Sequence, residues 1–143
     1  MPKVGVCLSG CGFRDGAEIH ESVLTLLALD QAGAEVLCMA PDMEQALVVD
    51  HFSGKTTHEK RNVLVESARI ARGHIRDIAD VKATDFDALI FPGGFGAALN
   101  LCDFATRGAE AEVHPEVARL IGETMKAGKP IGAICIAPAM LAA

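Results

Sequence analysis

The chain has 143 residues, the size of one ordinary domain, and half of its residues are hydrophobic. Thirteen Lys and Arg against nineteen Asp and Glu give a formal net charge of −6, and Trp and Tyr are absent. These counts exclude a disordered chain and argue against nucleic acid as a partner, because both a basic surface and a base-stacking platform are missing. No apolar run approaches the ~20 residues that span a bilayer, so a membrane is not an expected partner.

The predicted elements alternate between strands and helices along the chain. The first half predicts a strand at 3–8, a helix at about 18–32 that Gly33 ends, a strand at 35–40, a short strand at 47–50, a turn at 53–55, a helix at 62–72 with Asn62 as N-cap, and an extended piece at 75–78. The second half predicts a strand at 87–91, a helix at 115–127, a strand at 131–134 and a new helix after Cys135. This order favours parallel βαβ units in a three-layer α/β fold.

The compartment and the metal chemistry are predicted from the first residues and the cysteines. The apolar stretch at 4–8 is too short for a signal peptide, so a cytoplasmic protein is expected. Five cysteines without a CxxC pair predict neither a disulfide framework nor a zinc site, and the histidines show no metal-ligand spacing. The cysteines are Cys7, Cys11, Cys38, Cys102 and Cys135.

Cys135 is the first candidate catalytic residue, because it lies directly between a predicted strand and a predicted helix. A nucleophile on such a turn is presented at the carboxyl edge of the sheet, and a helix N-terminus favours the thiolate. A buried and inert cysteine at a strand end is an equally good interpretation of the pattern.

A glycine-rich turn is the second candidate. Pro92-Gly93-Gly94-Phe95-Gly96 follows a predicted strand, where backbone N–H groups can approach a ligand oxygen as an oxyanion hole. The alternative is a tight turn that needs glycine only for its dihedral angles. Open α/β sheets bind ligands at the carboxyl ends of their strands. Both this turn and Cys135 directly follow the carboxyl end of a predicted strand.

Glu18 is the third candidate, since it begins a helix after the loop at 9–16. Beside Cys135 its carboxylate would act as a general acid or base, whereas the alternative is a first-turn glutamate favoured by the helix dipole. Cys11 and His20 are secondary candidates, more simply interpreted as a loop residue and a surface residue. Gly10 and Gly12 match only the first two glycines of a dinucleotide fingerprint, so a nucleotide cofactor is not expected.

Three segments together closely resemble the ElbB family, also called enhancing-lycopene-biosynthesis or isoprenoid-biosynthesis glyoxalase proteins. That family belongs to the class I glutamine-amidotransferase-like, PfpI-type superfamily. The segments are Leu8-Ser9-Gly10-Cys11-Gly12 with Asp15-Gly16-Ala17-Glu18-Ile19-His20-Glu21, Phe91-Pro92-Gly93-Gly94-Phe95-Gly96-Ala97-Ala98, and Cys135-Ile136-Ala137-Pro138-Ala139-Met140.

The resemblance implies a flavodoxin-like three-layer sandwich with a mainly parallel sheet. Residues 1–143 would form a single class I glutamine-amidotransferase-like domain, truncated after the nucleophile elbow, that lacks the C-terminal part of the family domain. The resemblance further implies that Cys135 is the nucleophile, that Glu18 lies beside its sulfur, and that the Gly93–Gly94 turn and Ile136 supply the oxyanion hole. The implied activity is a cofactor-independent conversion of a small dicarbonyl such as glyoxal to a hydroxy acid, with a related deglycase activity, in a homodimer or higher homo-oligomer.

Departures from the superfamily pattern reduce the number of activities that the resemblance implies. The elbow reads Ala133-Ile134-Cys135-Ile136-Ala137, whereas glutaminases have Gly-x-Cys-x-Gly and the peptidases have His after the nucleophile. Leu99 stands where many relatives have Lys. Glutamine hydrolysis, proteolysis and an ammonia-supplying subunit are therefore disfavoured. The alternative to an enzyme is a binding, regulatory or redox-sensing member linked to isoprenoid biosynthesis, which the missing His partner favours.

Overall fold

The computed structural model describes residues 1–143. The first half of the chain contains β1 (Lys3–Cys7), α1 (Ile19–Gln31), β2 (Glu35–Ala40), β3 (Val49–Asp50), β4 (Lys55–Thr56), α2 (Val63–Ala71) and β5 (Ile75–Asp77). The second half contains β6 (Ala88–Phe91), α3 (Phe95–Leu99), α4 (Phe104–Arg107), α5 (Pro115–Lys126), β7 (Ile131–Ala133) and α6 (Ala137–Ala142). Three short 3₁₀ turns lie at Ile78–Asp80, Ala83–Asp85 and Gly108–Glu110.

Five parallel strands form the central sheet in the order β5-β2-β1-β6-β7, and β3 and β4 form a separate antiparallel hairpin. The chain moves outward from β1 through β2 to β5, and then returns to β6 and β7 on the other side of β1. The direction of winding therefore reverses between β1 and β6. Open α/β sheets bind ligands outside the carboxyl ends of the strands at such a point.

Side chains that alternate along β1 enter two separate cores, one on each face of the sheet. Val6 and Leu8 pack with Cys38 and Ala71 on the face that α1 and α2 cover. Cys7 belongs to the larger core on the opposite face. That core also contains Met39, Phe86, Leu89, Phe91, Val117, Leu120 and Met140. The predicted three-layer α/β sandwich with a parallel sheet is confirmed.

Most predicted elements are found within one or two residues of their expected ends. Asn62 caps α2 as predicted, because its side chain accepts a hydrogen bond of 3.0 Å from Val65 N–H. The structure adds α3, α4 and the strand β4, which begins in the predicted turn at 53–55. These three elements have two to five residues, too few for a hydrophobic period to identify.

Several apolar side chains of α1 remain exposed, namely those of Ile19, Val23, Leu24 and Leu27. No helix of the chain is both long enough and apolar enough to cross a bilayer. The homo-oligomer expected from composition and resemblance stays a prediction.

Asn100 joins three loops through one buried side chain. Its Nδ2 group donates to Ser9 O at 2.9 Å and to Asp15 O at 3.0 Å, and its Oδ1 accepts from Ala46 N–H at 2.9 Å. These bonds fix the loop after β1 against the segment that follows α3. The loop is thereby held in one position although it contains little regular structure.

Asn100→Ala is expected to lower the free energy of unfolding by about 3 kcal/mol, because it leaves buried backbone groups without partners. Asn62→Ala is the matched control, because it removes a helix cap worth about 1 kcal/mol and an exposed hydrogen bond from Asn62 Nδ2 to Asp42, and leaves no buried backbone group without a partner. Urea denaturation of both variants measures the difference. Equal destabilisation by the two substitutions would contradict the role assigned to Asn100.

Candidate active site

The predicted site residues come together at the carboxyl ends of β1, β6 and β7, which are neighbours in the sheet. An open cavity of about 110 Å³ lies there. Its lining includes four residues predicted from the sequence, namely Glu18, Gly94, Cys135 and Ile136. Gly93 lies directly beside it, within the turn after β6.

Cys135 occupies a sharp turn between β7 and α6. Ile134 N–H donates to Phe91 O at 3.0 Å as the last bond of the sheet, and Ala137 N–H donates to Ile134 O at 3.1 Å. Cys135 lies between these bonds with a φ of +60°, a left-handed conformation that costs a non-glycine residue about 1–2 kcal/mol. The turn leaves Cys135 exposed, so the interpretation of Cys135 as a buried residue is wrong, and its role as a nucleophile stays a prediction.

The other four cysteines differ from Cys135 in burial. Desolvation raises the pKa of Cys7 far above its ordinary value and raises the pKa of Cys38 to about 11. Desolvation is also the main cause that raises the pKa values of Cys102 and the half-buried Cys11. Cys11 does not line the cavity, so its secondary candidacy gains no support from the geometry.

Glu18 both caps α1 and lines the cavity. Its Oε1 lies 2.9 Å from Nδ1 of His20, and its Oε2 accepts from Glu21 N–H at 2.7 Å. The bond from His20, followed by the bond from the Glu21 amide, holds the pKa of Glu18 below its ordinary value. His20 is almost fully exposed and contacts Glu18. The structural role of Glu18 is therefore established, and its catalytic role stays a prediction.

Glu21 is the site residue that the sequence interpretation did not single out. Its Oε1 accepts from Gly93 N–H at 2.8 Å, and it lines the same cavity. Glu21 Oε1 and Cys135 Cβ lie 2.5 and 2.7 Å from the position that a Cβ on Gly93 would take, so the Glu21 carboxylate and the Cys135 side chain are neighbours on the same side of Gly93. The three-residue spacing from Glu18 was an available signal, because it places both carboxylates on one face of α1.

Four residues that line the cavity, Phe13, Gly94, Cys135 and Ile136, have a backbone amide with no acceptor within the chain. The amides of Gly94 and Ile136 donate no hydrogen bond within the chain, whereas the amide of Gly93 donates to Glu21. Gly94 has a φ of +97°, and a Cβ there would collide with Gly16 O and Glu18 N. Glycine is therefore required at this position. The role of the Gly94 and Ile136 amides in an oxyanion hole stays a prediction. The Gly93 amide instead orients the Glu21 carboxylate.

No group of three His, Cys, Asp or Glu side chains in the chain is arranged to hold a metal ion. The functional groups around the cavity are one thiol, two carboxylates and backbone amides. This set can perform nucleophilic addition, proton transfer and stabilisation of an oxyanion.

A family model described as the DJ-1/PfpI family matches residues 11–143. The chain belongs to the DJ-1/PfpI family. This membership places it in the class I glutamine-amidotransferase-like superfamily that the resemblance implied. A crystal structure of an isoprenoid biosynthesis protein with an amidotransferase-like domain from Ehrlichia chaffeensis has 43% identity and a TM-score of 0.92, and the match covers 97% of this chain and 66% of that one. The predicted flavodoxin-like fold class is thereby confirmed.

Two curated relatives of this DJ-1/PfpI member correct the predicted compartment. The human glutamine amidotransferase-like class 1 domain-containing protein 3, mitochondrial, is 53% identical over 98% of this chain and 53% of its own length. The rat ES1 protein homolog, mitochondrial, is 52% identical over the same shares. The chain thus spans about half the length of these relatives. Because both names specify mitochondria, the expectation of a cytoplasmic protein is contradicted. The short apolar stretch at 4–8 carried no information on this point.

Iodoacetamide is expected to alkylate Cys135 of the folded DJ-1/PfpI member first. Burial protects Cys7, Cys38 and Cys102 until the protein unfolds, and Cys11 is expected to react slowly. Peptide mass spectrometry over time measures the order of modification. Cys135→Ala should remove the fast phase, and Cys11→Ala is the control that should keep it. Equal rates at Cys135 and Cys38 in native buffer would contradict the exposed turn.

Proposed function

We propose that the protein is a glyoxalase-type enzyme that converts glyoxal or a similar small dicarbonyl to a hydroxy acid. Cys135 is the nucleophile, and neither a metal nor an organic cofactor is needed. The observation that carries the proposal is the exposed Cys135 thiol in a strained turn, which shares one cavity with two carboxylates. Enzymes of the DJ-1/PfpI family support an enzymatic role at the level of the family.

The reaction is an internal redox exchange between neighbouring carbons. The Cys135 thiolate adds to one aldehyde carbon of glyoxal, and the electron pair of the C=O bond moves to oxygen. The free amides of Gly94 and Ile136 hold this oxyanion. The hydrogen of the attacked carbon is then transferred to the second carbon, so the first carbon is oxidised to a thioester and the second is reduced to an alcohol. Water hydrolyses the thioester, which releases glycolate and restores the thiol.

Two carboxylates are available for the proton transfers. Glu18, the residue expected from the sequence, is held ionised by His20 and the Glu21 amide. Glu21 lies beside Cys135, next to Gly93, and is oriented by the Gly93 amide. We assign the transfer at the substrate carbon to Glu21, with Glu18 supporting it from the helix cap.

A redox-sensing or regulatory protein is the second candidate, because the same exposed Cys135 would oxidise readily. We also propose that the protein is of the ElbB type, with its link to isoprenoid biosynthesis. The sequence resemblance and the name of the Ehrlichia chaffeensis protein support it. A redox-sensing or regulatory protein would turn over no dicarbonyl.

Glycolate formation from glyoxal tests the proposal. Cys135→Ala is expected to abolish turnover, and Glu21→Gln to lower kcat about 100-fold or more, the usual contribution of a general acid–base group. Glu18→Gln is expected to cost less, because its carboxylate is occupied by the helix cap. Glu110→Gln, on an exposed residue outside the cavity, is the control and should leave turnover unchanged.

Turnover retained by Cys135→Ala would reject the covalent mechanism. Absence of turnover in a well-folded wild-type protein would favour the sensing alternative. A larger loss from Glu18→Gln than from Glu21→Gln would return the proton transfer to Glu18.

A further inference from the structure

Two phenylalanine rings line the cavity beside Cys135 while remaining open to solvent. Phe13, in the loop after β1, is 43% exposed, and Phe95, at the start of α3, is 48% exposed. Burying such rings against a ligand would stabilise the complex, because aromatic side chains offer large apolar areas with preferred stacking geometries. No lysine or arginine lines the cavity, and Glu18 and Glu21 make it acidic. The walls therefore disfavour an anionic ligand and suit one with an apolar part.

Phe13 is held in place rather than free to rotate away. Its ring meets the ring of His51 edge-on, with centroids 5.7 Å apart and planes at 76°. The guanidinium carbon of Arg14 lies 5.0 Å from the centroid of the Phe13 ring. Phe13 O also accepts a hydrogen bond of 2.8 Å from Phe95 N–H, so the backbones that carry the two rings are joined.

His51 is brought to Phe13 by the β3–β4 hairpin, which is otherwise separate from the sheet. Its Nδ1–H donates to Val49 O at 3.0 Å, and its Nε2 accepts from Arg14 N–H at 3.3 Å. The buried Asp15 carboxylate accepts from Val49 N–H at 2.8 Å and lies 3.8 Å from Nε2 of His51. The hairpin is thus fastened to the loop that carries Phe13.

We propose that Phe13 and Phe95 form an apolar clamp that selects 2-oxoaldehydes with an uncharged apolar or aromatic substituent over glyoxal, and that His51 positions Phe13. The inference rests on the proposed function, since the aldehyde carbon must reach Cys135. The chemistry is the same for the larger substrate. The thiolate adds to the aldehyde carbon, the hydrogen of that carbon moves to the ketone carbon, and water releases a 2-hydroxy acid. No external oxidant or reductant is required.

Initial rates of the full chain with phenylglyoxal and with glyoxal test the clamp. Phe13→Ala is expected to lower the ratio of kcat/KM for phenylglyoxal to kcat/KM for glyoxal about tenfold, mainly through the KM for phenylglyoxal. Phe52→Ala is the matched control, because Phe52 is fully exposed at the hairpin turn and lies outside the cavity. Phe95→Ala provides a second clamp variant if Phe13→Ala does not fold.

The two proposals fail in different ways. Equal losses for both substrates in Phe13→Ala, or no loss for either, would overturn the clamp while leaving the glyoxalase activity in place. Absence of turnover with both substrates in the wild-type protein would overturn the proposed function itself.

His51→Ala tests the positioning role separately. It is expected to raise KM for phenylglyoxal and to leave kcat for glyoxal unchanged, since His51 does not line the cavity. The double variant with Phe13→Ala should show no further loss, because both substitutions act through the same ring. An additive loss, or a fall in kcat for glyoxal, would overturn this role.

Discussion

The candidate site depends on direct contact between two backbone segments, the loop after β1 and the turn after β6. Three backbone hydrogen bonds join them at 2.8–2.9 Å. Side chains would prevent this approach, which is why glycines occupy both segments at the contact. This contact packs the start of α1 against the turn after β6, which places Glu18 and Glu21 at the cavity. The three pairs are Glu18 N–H with Gly93 O, Phe95 N–H with Phe13 O and Gly96 N–H with Gly16 O.

The parts of the site follow three neighbouring strands, β1, β6 and β7, and each part is constrained by its own interaction. Cys135 is presented by a left-handed turn, Glu21 is oriented by an amide of the neighbouring turn, and Phe13 is held by a histidine from the hairpin. The thiol, the acid and the apolar wall therefore meet without any of them belonging to a common element. Parallel strands make this arrangement possible, because their carboxyl ends share one edge.

The sequence predicted the features that repeat locally and missed those that depend on distant contacts. The alternation of apolar runs and helical periods identified the five strands of the sheet, and the strand–Cys–helix layout identified Cys135. Glu21 shares a helix face with Glu18, but its role follows from the approach of Gly93, which is distant in the sequence. His51 was missed for the same reason, since its hairpin joins the sheet only through a loop. The compartment was predicted wrongly, because the short apolar stretch at 4–8 carries no information about it.

The central claim is that Cys135 forms a covalent bond with an aldehyde substrate in this cavity. Rapid acid quenching of the protein with glyoxal, followed by peptide mass spectrometry at low pH where a thioester survives, tests it most directly. The account predicts an adduct on the Cys135 peptide that forms and decays at the rate of turnover, and that is absent in Cys135→Ser. Turnover with no adduct on Cys135, or with an adduct only on another residue, would contradict the account.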